Sequence, residues 1–400
     1  MRFPEFHGEW EKCKVSDLLD FYSTNSLSWD QLEYGTDNML NLHYGLIHVG
    51  LPTMVDLSKD ILPAIKKENE PKNFELCKEG DIAFADASED TNEVAKAIEF
   101  YTLEDKAVVC GLHTIHGRDK SNKTVVGYKG YAFSSTAFHH QIRRIAQGTK
   151  IYSISAKNFA ECYIGIPSKE EQTKIAKLLR LIDERIATQS KLIEKLESLI
   201  KGINQRVFLN SGINYKIREI CEIKSGYSGS QLLSKKGLKV SRIETISGHK
   251  VNMERVGYVA PFESSENYRL RVGDILFSNI NSVEYIGNTA FIDKDYDLYH
   301  GMNLLRLTPN NMVVIPFYLY LLLNTNRMLN RFKTVCNKAV SQASINQTEL
   351  GKTVVQIPPI NTQEQICELY QALYTKLETE SHTKSLFQNQ KQYMLRQMFI

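Results

Sequence analysis

No stretch of this 400-residue chain is apolar for long enough to cross a bilayer: the greasiest run, Phe317 to Leu323, falls far short of the roughly 20 residues that a spanning helix needs. Met1 to Trp10 carries charges and no apolar h-region, so neither a secretory signal nor a transit peptide is expected, and a cytoplasmic location without membrane attachment follows. Cysteine is sparse and scattered, at 13, 77, 110, 162, 221, 336 and 367, with no Cys-x-x-Cys pair. That odd, dispersed set fits reduced thiols better than a disulfide framework. Neither sign of charge dominates: 49 Lys and Arg stand against 46 Asp and Glu, and a net charge of +3 neither requires nor excludes a nucleic-acid partner.

Catalytic motifs are equally scarce. The only Pro-Pro, Pro358-Pro359, follows Ile, so the Asn/Asp-Pro-Pro-aromatic pattern of amino methylation is missing. Gly351-Lys352-Thr353 imitates the end of a phosphate loop, but Asn346 stands where the first glycine belongs. Glu222-Ile223-Lys224 has the Glu-x-Lys spacing of some nuclease metal sites, without the converging carboxylates that metal-assisted hydrolysis requires. Cys110, His113 and His116 have a spacing able to hold zinc; with no fourth ligand nearby they read as structural or polar-contact residues, His139-His140 reads as surface, and no metal site is assigned.

What the chain does contain is a duplication. Ile166-Pro167, Gln172, Ile175 and Phe208 return as Ile357-Pro358, Gln363, Ile366 and Phe399, all 191 residues on and without a gap. The chain therefore reads as module, helix, module, helix, with 400 residues too many for one ordinary core and a pseudo-twofold arrangement predicted. With 42% apolar and 24% charged residues it is globular in composition.

The first helix is expected from about Ser168 to Phe208, with Ser168 as N-cap and Glu170 and Glu171 complementing its positive end. Ile175, Leu179, Ile182, Ile186, Ile193, Leu196, Ile200, Ile203 and Val207 alternate at four and three, interrupted only by Gln189. This is a coiled-coil seam on a rod about 60 Å long. The second helix repeats the seam as Ile366, Tyr370, Leu373, Leu377, Glu380, Lys384, Phe387, Lys391, Met394 and Met398, with Glu380 opposite Gln189 in the repeat. Twofold logic makes the pairing antiparallel, and polar residues near the middle help fix its register. Independent packing of each helix on its own module is the alternative.

Each module opens on a short apolar alternation, Cys13 to Leu19 and Tyr215 to Ile223. Gly80-Asp81-Ile82-Ala83-Phe84 and Gly273-Asp274-Ile275-Leu276-Phe277 read as turns entering buried strands. Strands are expected at 106–110, 124–133, 286–292 and 303–307, and helices at 142–146 and 317–331. Each module is thus mixed α+β, a shared frame with divergent contents.

These features resemble the specificity subunit of type I restriction-modification systems. The resemblance covers essentially all 400 residues and rests on Ile166-Pro167 with Glu171-Gln172-Thr173-Lys174-Ile175, Ile357-Pro358-Pro359 with Glu364-Gln365, residues 80–90, and Gly273-Asp274-Ile275-Leu276-Phe277-Ser278. In the second helix the Glu-Gln pair lies two residues late, and Thr362-Gln363 take the equivalent positions, which leaves its start open by a turn. The resemblance implies an α+β chain with target-recognition domains at 1–165 and 211–357 alternating with helical spacers at 166–210 and 358–400 that pair as an antiparallel coiled coil. It implies a non-catalytic scaffold that holds two DNA readers at fixed separation and recruits two adenine-N6 methyltransferase subunits. S-adenosylmethionine would be bound by those partners, and motor-nuclease subunits using ATP and Mg can join. The double-stranded DNA target would be bipartite with two unlike halves.

For DNA contact, residue type and loop position favour Tyr44, His113, Arg118, Lys123 and Lys150 in the first module. In the second they favour Tyr227, Ser228, Arg242, Asn279, Asn281, Lys338, Gln342 and Ser344, with 224–229 as a polar loop whose backbone can approach phosphate. Residues 86–90 are acidic and more readily cap a turn. The rival class is a self-contained DNA-modifying or DNA-cleaving enzyme with a helical dimerisation rod; a coiled-coil protein that binds no nucleic acid is a third reading.

Overall fold

The computed structural model describes residues 2–36, 38–208, 212–338 and 342–399. It divides into two compact units, Met1–Leu192 with Glu380–Ile400 and Ile193–Thr379. The divisions fall inside the two long helices, Lys169–Val207 and Ile360–Gln397, so each unit holds one module and a segment of each helix. No described helix is long and apolar enough to cross a membrane.

In the first unit a five-stranded sheet runs Leu19–Tyr22, Thr114–Asp119, Ile82–Ala85, Ala97–Thr102, Met54–Asp56, beside a four-stranded sheet of Val108–Cys110, Leu40–Leu42, Ala64–Ile65 and Leu32–Glu33. In the second, Cys221–Ser225, Leu304–Pro309, Ile275–Ser278 and Thr289–Phe291 form the main sheet. Both Gly-Asp turns enter a strand buried along its length, and Gly80 and Gly273 hold φ of 83° and 98°, where a side chain is strained. Each module closes on itself: Glu11–Lys14 pairs antiparallel with Tyr163–Ile166, and Ile213–Lys216 with Val354–Ile357. The Ile-Pro step is therefore the end of a closing strand, and proline, which cannot continue the ladder, releases the chain into the helix.

Each helix start is held by the same buried glutamine. Gln172 Nε2 donates to the carbonyls of Lys123 and Pro167 while its Oε1 accepts from Val125 N–H; Gln363 does the same with Val313, Pro358 and Ile315. Ser168 Oγ accepts from Glu171 N–H as the expected cap, and the Glu171 carboxylate is paired with Arg2. The start of the second helix is thereby settled: Ile360 opens it, and Gln363 is the counterpart of Gln172.

Within each unit the helix segments run antiparallel. In the first, Asp183 pairs with Lys391 at 2.7 Å, Arg185 lies over the Phe387 ring, and Gln189 donates to Glu380. Ile175, Leu179 and Ile182 are buried, the first two in one core with Tyr128, Ile164, Leu395, Met398 and Phe399, with Met394 packed against it. Ile186 and Phe387 are half-buried. In the second, Ile200, Ile366 and Tyr370 join the module's core, Ile203, Val207, Leu373 and Leu377 pack against it, and Tyr370 hydrogen-bonds Asn204. Ile193 and Leu196 are half-buried. The seam thus serves two purposes, pairing the helices and plugging each helix end into a module.

Three local expectations give way. Residues 124–133 are a turn and the helix Lys129–Phe133, not a strand. The β-branched run suggested extension, but the buried Glu99 carboxylate accepts from Gly127 and Gly130 N–H and winds the segment. The strand at 286–292 shrinks to Thr289–Phe291. The single helix at 317–331 is two, Pro316–Leu323 and Asn326–Val335, because Thr325 Oγ1 caps Met328 N–H and starts a new axis.

Candidate nucleic-acid interface

A small antiparallel sheet recurs in both units immediately after the buried Gly-Asp strand. In the first, Ala87–Ser88 pairs with Tyr152–Ser153; in the second, Ile280–Asn281 pairs with Ala343–Ser344, which also pairs with Asn337–Lys338. Five candidates of the second module converge on this element: Asn279 enters it, Asn281, Lys338 and Ser344 lie in its strands, and Gln342 adjoins it. Lys338 and Gln342 are exposed. Asn281 Nδ2 donates to Ser278 Oγ and shares a hollow with Glu244, Arg255, Tyr285 and Asn288. Asn279 Oδ1 is buried without a hydrogen-bond partner among the described residues, and Ile345 N–H donates to the Asn279 carbonyl.

In the first unit the equivalent element gathers Tyr44, His113 and Lys150. Asp86, which leads into Ala87–Ser88, accepts from the exposed His113 ring at 3.1 Å, and its carbonyl accepts from Ile154 N–H beyond the Lys150 turn. Lys150 is exposed in that turn. Gly148 has φ of 143°, and a Cβ there would sit 1.9 Å from the Ile151 carbonyl oxygen, so the turn admits glycine alone. Tyr44 meets His113 edge-on at 5.2 Å and continues through His43 to Trp29, which is 46% exposed. Burial first, and the neighbouring His113 second, push His43 below its ordinary pKa. His43 and His48 lie beside Tyr44 by their spacing at the start and end of one short helix, whereas Trp29 reaches His43 from a separate segment and was not legible in the sequence.

Other candidates have intramolecular work. Arg118 gives Nε and Nη2 to the Asp81 carboxylate at 2.8 Å each, Nη1 to Glu75 and a further bond to the Leu76 carbonyl, and stacks over Tyr22. Lys123 pairs with Glu11, and its carbonyl takes the Gln172 bond at the helix start. Tyr227 stacks on Phe262 at 4.0 Å with 10° between ring planes. Ser228 and Arg242 are exposed, the latter 3.5 Å from Glu244.

Residues 224–229 are not a free loop: Cys221–Ser225 is strand, and a Cβ on Gly226 would lie 1.8 Å from the Gly301 carbonyl oxygen. The glycine answers a close approach within the module. The grouping of Cys110, His113 and His116 is also redrawn, because His113 turns out to Asp86 while Cys77 comes in beside Cys110. In the acidic run Asp90 accepts from Asn92 N–H and caps a turn, as expected.

A family model described as type I restriction modification DNA specificity domain matches residues 8–198 and again 213–386. A putative type I restriction enzyme MjaX specificity subunit of Methanocaldococcus jannaschii is 36% identical over 193 residues, 46% of this chain and 45% of that protein. The type I restriction enzyme EcoKI specificity subunit of Escherichia coli is 24% identical over 283 residues, 63% of this chain and 59% of that one. The chain thus spans between about half and two thirds of the length of these curated relatives. Among solved structures, the type I restriction-modification S subunit from M. genitalium superposes with TM-score 0.58 at 17% identity over 100% of this chain and 99% of that one. A chain solved in work on assembly and conformational transition of the type I R-M system gives 0.63 at 15% identity over 98% and 97%. These two share the fold.

Proposed function

The chain belongs to the type I restriction modification DNA specificity family, and from that premise we propose that it is the sequence-specificity subunit of a type I restriction-modification complex. It reads a bipartite double-stranded DNA target, one half through each module, and recruits two adenine-N6 methyltransferase subunits that bind S-adenosylmethionine. Motor-nuclease subunits using ATP and Mg join where restriction accompanies modification. The observation that carries the reading is the recurrence of one small sheet at the same place in both modules, dressed with different side chains. A shared frame places each element alike against a duplex, and differing polar groups select different bases.

In the first module the reading centres on Tyr44, His113 and Lys150, with Trp29 as an added aromatic surface. In the second it centres on Asn281, Lys338, Gln342 and Ser344. Arg118 and Lys123 are given a structural role, since their donors are engaged within the module. Adenine inside a duplex must leave the stack before methylation, so the chain's mechanical part is to hold the duplex while a partner acts.

The test is to express the chain with its methyltransferase partner and map modified adenines by single-molecule sequencing. Expected is one motif of two unlike specific parts separated by unread bases. Methyl transfer or metal-dependent cleavage by the purified chain alone would overturn the reading.

A further inference from the structure

The first unit contains a buried cluster that the DNA-reading role leaves unused. Cys77, Cys110 and His116 come from three separate segments, all fully enclosed, with a ligand atom from each within 4.8 Å of the others. Only Cys110 and His116 are near in sequence; Cys77 arrives because Leu76 bridges Val109 and Cys77 N–H donates to the Val108 carbonyl.

The geometry points to a site for one thiophilic d10 cation, zinc in the first instance, held by Cys77 Sγ, Cys110 Sγ and His116 Nδ1. The two sulfurs are 3.6 Å apart, close to the edge of about 3.8 Å that two thiolates span around tetrahedral zinc with bonds of about 2.3 Å. His116 Nε2 lies 2.8 Å from Asp81 Oδ2. A carboxylate oxygen can only accept from the ring, and Arg118 donates to the same carboxylate. In the neutral ring the proton therefore sits on Nε2, and Nδ1 presents a lone pair. That nitrogen is buried and has no hydrogen-bond partner among the described residues. An acidic group behind the ring, orienting and polarising it, is the usual companion of a metal-bound histidine, and here Arg118 clamps that group in turn through both of its oxygens.

Charge balance favours the same occupant. A divalent ion displaces both thiol protons, which leave to solvent, and two thiolates with one divalent cation form a neutral centre suited to an enclosed site. Three protein donors leave the fourth corner to an exogenous ligand or to trigonal coordination. The ion would clip the strands Val108–Cys110 and Thr114–Asp119 to the segment before Ile82. Between the first two lies the turn Gly111–His113, with His113 at φ of 55°. The consequence for DNA reading by His113 rests on the proposed function, whereas ion binding does not.

The full chain, stripped with a chelator under reducing conditions, is titrated with zinc against a chromophoric competitor and separately with cobalt. Expected are one ion per chain, release of two protons, a raised thermal midpoint and a cobalt-thiolate absorption band. Cys77→Ser and Cys110→Ser should each weaken binding at least 100-fold, and Cys162→Ser, buried elsewhere, should not. The proposal is overturned if the wild-type chain shows no stoichiometric binding or no thiolate band, readouts that survive even if a variant fails to fold. It is overturned equally if two of the seven thiols are already consumed as a Cys77–Cys110 disulfide in chain purified without oxidant. DNA affinity measured with chelator present reports separately on the proposed function.

Discussion

Gln189 donates its side-chain amide to the backbone carbonyl of Glu380 at 3.2 Å and also to the Glu380 carboxylate. Each is the other's counterpart in the repeat, 191 positions apart, so a residue of the first helix meets its own duplicate in the second. Such self-meeting marks the midpoint of an antiparallel pair made from a duplicated element, where a polar contact selects the register at some cost in stability. Replacing Gln189 by Glu sets two carboxylates together at a half-buried position. Denaturant melts should show a loss of about 1–2 kcal/mol at pH 7 that recovers on acidification toward pH 5; no pH dependence of the difference would place the pair apart in solution.

Gln172 and Gln363 should respond alike to truncation. Leu at either position strands two carbonyls and one N–H that the amide now satisfies, at a cost of about 2–4 kcal/mol. Chemical unfolding checks the magnitude, and hydrogen exchange should show fraying confined to the first turns of the affected helix.

Lys129 and Glu99 form a wholly enclosed ion pair at 3.1 Å. Lys129→Met removes the ammonium and leaves a buried carboxylate, which should cost about 3–5 kcal/mol. Burial already raises the Glu99 pKa above its ordinary 4.5, so the folded carboxyl binds its proton more tightly than the unfolded one. The variant's stability should accordingly be greatest in acid and fall as pH rises above about 4.5. Adding Glu99→Gln, which removes the charge and keeps an acceptor for Gly127 or Gly130, should recover at least about 1 kcal/mol; no recovery in the double variant would mean that charge is not what Lys129 offsets.

His300 supplies a pH dependence of opposite sign. Fully buried, with Nε2 2.9 Å from the Leu304 carbonyl, it has its pKa pushed down from 6.5 to about 4 by burial, against which the hydrogen bond acts in part. The unfolded chain takes the proton first, so the stabilisation is complete above about pH 6.5 and is lost as pH falls toward 4, by up to about 3 kcal/mol. Calorimetry of wild type and His300→Gln over that range should show a smaller acid loss in the variant.

On DNA, Lys150→Ala and Lys338→Ala should each lower affinity for every sequence and reduce the salt slope by about one. Asn281→Ala should instead relax discrimination in one half-target by about 1–3 kcal/mol while the other half is unchanged. Binding titrations over salt, on targets altered in each half, separate the two classes of effect.

How far the chain could be read without coordinates depended on the range of each signal. The glycine turns before the buried strands, the Ser168 cap and the paired glutamines of the duplicated Ile-Pro steps are local signals, and each matches its place in the fold. The segment at 124–133 departs from the expected strand because the deciding group, the Glu99 carboxylate, lies far outside any local window. The engagement of Arg118 by Asp81 and Glu75 was not legible, because it joins segments about 40 residues apart.

The sequence by itself determined the repeat and the two rods, since periodicity and spacing are properties of the chain's order, and its motifs carried the resemblance to the family that the family model then showed. Only the tertiary structure decided which polar side chains converge: Asn281 with Lys338 and Ser344 on one small sheet, Tyr44 with Trp29, His113 and the Lys150 turn, and Cys77 with Cys110 and His116. Hydrogen-bonded strand order, which joins segments tens of residues apart, makes those encounters, and no local window of the sequence contains it.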